Sequence, residues 1–199
     1  MIFRLIFRTT GKLHHSVSKP IFAIRKAVPA DSEGIGLVQK LTWRATYPNM
    51  EHNVSVADIV DATKWWDQPG SIEKFAERIA NEGDSALRLV AVIGPQIVGH
   101  CFARKLESVN RLDVLYVLPE FHSNHIGLGL AESALEWLGK DKDILLDVAT
   151  YNTHAIRFYE GLQFKITRTL PEYETKLANG TLHPQLEMRR QKTISKQNK

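Results

Sequence analysis

The stretch YVLPEFHSNHIGLGLAESALEWLGK, residues 116–140, decides the fold of this 199-residue chain. An apolar run that is typical of a strand ends at Pro119, and apolar residues recur at helical spacing after Gly127 and Gly129. The unpaired N–H groups at a helix start bind anions, and glycines let an anion approach the backbone. The spacing predicts a strand, a phosphate-binding loop and a helix. Because neither G-x-G-x-x-G nor G-K-[ST] is present, a glycine-bearing connection without a ligand is the alternative.

The same kind of periodicity places further elements along the chain. We predict a strand in 21–28, helices in 29–47, 55–66 and 71–82, three antiparallel strands within 87–118, a strand in 143–149, a helix in 152–162 and strands in 164–170 and 185–191. Gly94 and Pro95 indicate a tight hairpin turn between the first two of the three antiparallel strands. This order predicts one α/β domain, residues 21–191, with a mixed, mainly antiparallel central sheet flanked by helices.

The charge of the chain is unevenly distributed, although its net value is only +4. All 22 acidic residues lie from Asp31 to Glu187, whereas Lys and Arg also occupy both ends. The predicted domain is therefore acidic, which does not suit a nucleic-acid partner and favours a cationic small molecule. No apolar run approaches the roughly 20 residues that cross a bilayer, so we expect no membrane insertion.

The two ends and the single cysteine bear on localisation. Residues 1–20 are basic, amphipathic and free of acidic residues, which is typical of a mitochondrial transit peptide but also of a disordered extension. Residues 192–199 form a second basic tail. Cys101 excludes an intramolecular disulfide and fits a reducing compartment, where we expect it to be a small buried hydrophobe rather than a nucleophile. The prediction is a cytoplasmic protein, with a mitochondrial location as the alternative.

Two motifs carry a resemblance to a known family. LYVLPEFHSNHIGLGLAESAL resembles the coenzyme A signature of the GNAT acyltransferase superfamily, in which V-x-P and an aromatic residue precede R/Q-x-x-G-x-G/A at a helix start. NTHAIRFYEGLQF resembles the family's N-x-x-A-x-x-F-Y-x-x-x-G-F, and TWRATYPN is similar to its first helix and loop. The order and spacing of these three segments agree over residues 22–191.

The resemblance implies direct transfer of an acetyl group from acetyl-CoA to a primary amine of a small molecule or peptide. It implies a coenzyme site made by Leu115, Tyr116, Val117, His122, Ser123, Asn124, His125, Ile126, Gly127, Leu128 and Asn152. It also places Tyr159 as the general acid that protonates the departing thiolate, since a phenol with a pKa near 10 is a suitable donor. An aromatic residue on a buried helix face is the alternative for Tyr159.

Three residues depart from the family pattern. His122 stands where Arg or Gln is usual, and His125 and Gln163 stand where glycine is usual. A side chain at position 125 restricts the backbone, although His tolerates unusual φ values better than branched residues do. Weak coenzyme binding is therefore open, and the alternative function is a CoA-binding sensor or interaction module with little catalytic activity.

The remaining candidates concern the base, the acceptor and a metal. Asp113 alternates with Leu115 and Val117, which predicts a common strand face and makes Asp113 a candidate base or a surface ion-pair partner. Aromatic rings can hold a cation, so Trp43, Tyr47 and the pair Trp65–Trp66 are candidates for the acceptor pocket, with core packing as the alternative. His122 and His125 have ligand-like spacing, but no carboxylate or Cys pair completes a zinc site, so no metal is expected. A homodimer is left open.

Overall fold

The computed structural model of the protein describes residues 21–172 and 175–193. The predicted N-terminal extension, residues 1–20, and residues 194–199 of the C-terminal tail lie outside the described residues. Within the described part, no helix has the length and apolar character that crossing a bilayer would require.

Helices and strands follow the order predicted from the sequence. They are β1 (Ala23–Lys26), α1 (Ser32–Thr46), α2 (Val56–Ala62), α3 (Ser71–Ala80), β2 (Ala86–Ile93), β3 (Gln96–Arg104), β4 (Asn110–Val117), α4 (Ile126–Leu138), β5 (Ile144–Ala149), α5 (Thr153–Gly161), β6 (Lys165–Thr169) and β7 (Gln185–Arg190). The strands form one sheet in the order β1-β2-β3-β4-β5-β7-β6. Among the strands in the described residues only β4 and β5 pair in parallel, so the predicted mixed, mainly antiparallel sheet is confirmed.

Helices cover both faces of this sheet, and alternating strand residues supply the two cores. On one face Leu89 packs in the larger cluster with Leu130 of α4. On the other face Val90 packs with Ile35 of α1 and Phe75 of α3. Each fully buried side chain of this size contributes roughly 1.5–3 kcal/mol relative to exposure, so the two clusters fix the helices on the sheet.

Cys101 belongs to the larger core cluster, as the sequence predicted. The residue is 1% exposed, and burial raises the pKa of its thiol to about 12. A thiol that stays protonated is a poor nucleophile, so Cys101 fills space in the core.

The feature that shapes the site is the divergence of β4 and β5. These strands pair only at Asn110–Ile144 and Arg111–Leu145, although β4 continues to Val117 and β5 to Ala149. Their remaining backbone edges therefore face a gap in the sheet instead of each other. Helices α4 and α5, which follow β4 and β5 along the chain, begin beside this gap.

Candidate active site

A cavity of about 580 Å³ fills the gap between β4 and β5. It is lined by residues from the end of β4, the following loop, the start of α4, and α5. All the residues predicted to contact the coenzyme line this cavity except Asn124. The Asn124 side-chain amide instead donates to the Phe121 carbonyl at 3.2 Å, which braces the loop.

The first turn of α4 presents free N–H groups to this cavity. Ile126, Gly127 and Leu128 line it, and no hydrogen bond to their N–H groups occurs within the described residues. The first turn contains no acidic residue, so the positive end of the helix is not neutralised by its own sequence. This arrangement can bind an anion such as a phosphate.

The two glycines of α4 have different roles, which corrects the expectation that both open the turn to phosphate. A Cβ atom at Gly127 would lie 3.7 Å from Val117 Cγ2, which is an ordinary contact, and the position borders the cavity. A Cβ atom at Gly129 would lie 2.8 Å from Ile24 Cδ1. Gly129 therefore faces β1 rather than the cavity, and a larger residue there would require the end of the Ile24 side chain to shift.

Two of the departures from the family pattern occur at left-handed backbone positions. His125, the residue before α4, has φ of 62°, and Gln163, after α5, has φ of 69°. Glycine adopts such values without steric cost, whereas another residue costs roughly 1–2 kcal/mol. A glycine at either position would adopt this backbone without that cost, whereas His125 and Gln163 adopt it with strain.

The third departure, His122, is held against β4. Its Nε2 lies 3.0 Å from the Val117 carbonyl oxygen and must carry the proton, because a carbonyl only accepts. The ring also stacks on His154 of α5, with centroids 6.2 Å apart. His154 and Arg157, spaced by three residues on α5, both line the cavity and were not predicted as coenzyme contacts.

The spacing of the histidines raised the question of a metal site. No group of three His, Cys, Asp or Glu side chains with metal-binding geometry occurs in residues 21–172 and 175–193. The imidazole and guanidinium groups that line the cavity can donate hydrogen bonds to phosphate oxygens, which suits a polyanion.

The backbone of Val117 also faces the cavity. Bonded and non-bonded pairs alternate in an antiparallel ladder, and the Leu118 N–H donates to the Val98 carbonyl at 2.9 Å. The neighbouring pair, Gly99–Val117, is therefore the non-bonded kind, and the Val117 N–H points away from β3. The position leaves this N–H available to a carbonyl placed between the diverging strands.

Tyr159 lines the same cavity from α5. Its ring packs edge-on against Phe164 at 5.9 Å, and no hydrogen bond to its hydroxyl is found in the part of the chain that is described. Burial raises the pKa of the Tyr159 phenol above its usual value of 10.0. The group is a neutral proton donor at any physiological pH.

A β-bulge interrupts β4 at Asp113. Phe102 pairs with Val114 and Ala103 pairs with Leu112, so Asp113 has no opposite residue on β3. An extra residue of this kind shifts the alternation of side chains by one position.

The bulge overturns the predicted common face of Asp113, Leu115 and Val117. Asp113 shares its face with Tyr116, and both line a second cavity that Leu115 and Val117 do not reach. The Asp113 carboxylate accepts two hydrogen bonds from Arg104, at 2.6 and 2.9 Å, and a third from Arg111 at 3.1 Å. Both of its oxygens are therefore engaged by arginine.

The second cavity has a volume of about 360 Å³. It is lined by Trp43, Tyr47, Ala62, Arg111, Asp113, Tyr116, Asp147, Ala149, Thr175, Lys176, Leu177, Ala178, His183 and Gln185. Four of these residues also line the first cavity, namely Tyr47, Asp113, Tyr116 and Asp147. The two cavities therefore meet at a shared wall of two phenols and two carboxylates.

The four aromatic candidates divide between this cavity and the core. Trp43 and Tyr47 line the second cavity, with ring centroids 5.2 Å apart. Trp66 is buried against Phe75, and Trp65 packs on Trp66. The tryptophan pair of residues 65 and 66 therefore supports α3, as the core-packing alternative predicted.

Asp147 is a candidate that the sequence analysis missed. It lies on β5, lines both cavities, and accepts one hydrogen bond, from Arg111 at 2.5 Å to Oδ2. Its Oδ1 has no protein partner among the described residues. The available signal was a single charged residue in the apolar run ILLDVA, residues 144–149, which is unusual for a buried strand.

Residues 175–178, which precede β7, line the second cavity, and the residues that follow them are bound to α2. The link is made at the start of α2 by Asp58, whose Oδ1 accepts from Asn179 Nδ2 at 3.2 Å and from Thr181 Oγ1 at 3.0 Å. Asp58 also caps α2 through Ser55. This contact holds residues 179–181 at the start of α2, beside the lining residues 175–178.

Comparison with solved structures places this fold among acetyltransferases. PaiA N-acetyltransferase from Thermoplasma acidophilum in complex with coenzyme A is 21% identical with a TM-score of 0.63, and the match covers 86% of this chain and 99% of that one. The ribosomal-protein-S18-alanine N-acetyltransferase from Escherichia coli is 16% identical with a TM-score of 0.63, covering 90% and 99%. A phosphinothricin acetyltransferase from Sinorhizobium meliloti in complex with AcCoA is 15% identical with a TM-score of 0.62, covering 89% and 92%.

The sequence itself gives the family. No functionally curated protein matches the chain. The family model described as the acetyltransferase (GNAT) family matches residues 52–164, which contain the diverging strands, the start of α4, and Tyr159. That match spans more than half of the chain, and this protein therefore belongs to the GNAT acetyltransferase family.

Proposed function

We propose that this protein is an N-acetyltransferase that moves the acetyl group of acetyl-CoA directly to a primary amine of a small molecule or peptide. One observation carries the proposal. The cavity between β4 and β5 and the smaller cavity beside it share a wall made by Tyr47, Asp113, Tyr116 and Asp147. A donor in the first cavity and an amine in the second would meet at that wall.

The lining of the first cavity supports a site for the coenzyme. The free N–H groups at the start of α4 would hold the pyrophosphate, with Gly127 giving access to the backbone. Arg157 would add positive charge beside the phosphates, and the His154 ring could donate a hydrogen bond to them. Asn152 caps α5 by accepting from the Ala155 N–H at 3.1 Å, which leaves its side-chain NH₂ to donate to the pantetheine arm.

The chain's own residues would then act on the reacting atoms. Acetyl-CoA supplies an acetyl group activated as a thioester. The Val117 N–H would donate to the thioester carbonyl and stabilise the negative charge that develops on its oxygen. Tyr159 would protonate the departing thiolate, since its phenol is neutral and lines the same cavity.

We propose Asp147 ahead of Asp113 as the base that accepts the proton of the amine. Both carboxylates lie on the shared wall. Asp113 is engaged on both oxygens by Arg104 and Arg111, whereas Asp147 keeps Oδ1 available. Asp147→Asn should lower kcat by roughly 100-fold, within the usual range for a general base, and Asp113→Asn should lower it less.

The decisive measurement is thiol release from acetyl-CoA across three acceptors: L-alaninamide, spermidine and a heptapeptide with a free α-amine. Calorimetric titration with acetyl-CoA is done in parallel. Acetylation of any acceptor, identified by mass, supports the proposal. Tight binding without amine-dependent thiol release would show the alternative, a coenzyme sensor, to which the strained residues His125 and Gln163 point. A cytoplasmic location and a homodimer stay predictions.

A further inference from the structure

The second cavity contains a histidine that the proposed mechanism does not use. His183 lies just before β7, is 4% exposed, and lines this cavity. Its backbone N–H donates to the Thr175 carbonyl at 2.7 Å. The ring packs edge-on against Tyr47, with centroids 4.7 Å apart. His183 is therefore held in place from several directions.

The hydrogen bonds around Tyr151 determine which nitrogen of His183 carries the proton. The Tyr151 hydroxyl donates its only proton to the Tyr47 carbonyl at 2.9 Å. The same hydroxyl lies 2.9 Å from His183 Nδ1. It can only accept in this second contact, so Nδ1 is the donor and Nε2 carries a lone pair.

The imidazole is also neutral. Burial, with the nearby His52, lowers the pKa of His183 to about 4. Nε2 of a neutral imidazole is a hydrogen-bond acceptor, and no partner for it is found among the described residues. Because His183 lines the cavity, a ligand N–H placed there can donate to this nitrogen.

The charged side chains that line this cavity have a net formal charge of zero among the described residues. Two carboxylates, Asp113 and Asp147, stand with two cations, Arg111 and Lys176, among its described lining residues. A polyamine requires a surplus of negative charge, which this lining does not provide. A monoamine that donates a hydrogen bond as a neutral group fits the cavity better.

We propose that His183 positions the acceptor: its Nε2 accepts a hydrogen bond from the amine N–H, and the cavity selects a small primary monoamine over a polyamine. This inference rests on the proposed function and names the acceptor class. His183 acts in binding and orientation, and the acetyl transfer itself uses the residues described above.

The test compares two isosteric variants in steady-state kinetics with L-alaninamide and spermidine. His183→Asn places an amide NH₂ near the position of Nδ1 and has no acceptor near that of Nε2. His183→Gln places an amide oxygen near the position of Nε2. We expect wild-type kcat/KM for L-alaninamide to exceed that for spermidine at least tenfold. His183→Asn should raise the KM for L-alaninamide about tenfold with the KM for acetyl-CoA unchanged, and His183→Gln should restore it to within about threefold.

The outcomes separate this inference from the proposed function. If wild-type protein acetylates none of the amines, both the proposed function and this inference are contradicted. If it acetylates them but His183→Asn leaves the KM for L-alaninamide unchanged, or if spermidine is the better acceptor, only the inference falls. Should His183→Asn fail to fold, Tyr151→Phe serves instead: without the hydroxyl that fixes the tautomer, the KM for L-alaninamide should rise, and an unchanged value overturns the inference.

Discussion

Removing one hydroxyl group, by the substitution Tyr159→Phe, tests the assignment of the general acid. The ring of Tyr159 packs on Phe158 and Phe164, and phenylalanine keeps those contacts. No hydrogen bond to the hydroxyl is present in the described residues, so the free energy of unfolding should change by less than about 1 kcal/mol. For a chain of this length that is a shift in Tm of less than about 4 °C.

The catalytic effect should be much larger than the effect on stability. Loss of a general acid costs roughly 100-fold or more in kcat, which is about 2.7 kcal/mol of transition-state stabilisation. The KM for acetyl-CoA should change little, because the proton is transferred only in the transition state. Since burial raises the pKa of Tyr159, its protonated form persists, and the wild-type rate should not decline through this group below about pH 10.

The measurement is thiol release under saturating acetyl-CoA, with single-turnover kinetics to establish that chemistry limits the rate. Thermal unfolding and calorimetry on the same variant report stability and coenzyme affinity. A Tyr159→Phe enzyme that turns over at the parent rate, with chemistry rate-limiting, would refute the assignment and leave water as the donor.

Three further predictions concern the coenzyme loop, backbone strain and the thiol. Gly127→Val should fold normally, because a Cβ meets Val117 Cγ2 only at 3.7 Å, but should weaken acetyl-CoA binding at least tenfold; unchanged affinity by calorimetry would contradict the pyrophosphate placement. Gln163→Gly should raise Tm by about 2–4 °C, since it relieves φ of 69°, and a lower Tm would argue against strain there. Cys101 should react with a thiol reagent at pH 8 only after denaturation, and rapid labelling of folded protein would contradict its buried, protonated state.

The order of elements could be predicted because each has a local signal. Apolar periodicity located α4, and the sequence order of strands and helices indicated the mixed sheet. The Asn152 cap was also predictable, since a short polar side chain at a helix start accepts from the backbone N–H three residues later.

The features that could not be predicted depend on contacts between distant segments. The bulge at Asp113 arises from the pairing of β4 with β3, and no local pattern distinguishes it from regular alternation. Gly129 lies against Ile24, more than a hundred residues earlier in the chain. The tautomer of His183 is set by its hydrogen bond with Tyr151, whose hydroxyl donates to the Tyr47 carbonyl, and both tyrosines are distant in the sequence. Sequence analysis could identify these residue types but not their neighbours.

The short pairing between β4 and β5 has a consequence for how the domain opens. Two residue pairs join a half that contains β1 to β4 with a half that contains β5 to β7. The larger core cluster also spans both halves, but the backbone hydrogen bonds between them are few, so the two edges can separate locally before the whole domain unfolds, and amide hydrogen exchange detects such opening. A ligand that contacts both edges of the gap resists this separation in proportion to its affinity. We therefore expect acetyl-CoA to slow amide hydrogen exchange across β5 and β7 as well as at the start of α4. The bound coenzyme would then hold together the two strand edges that lack hydrogen bonds to each other.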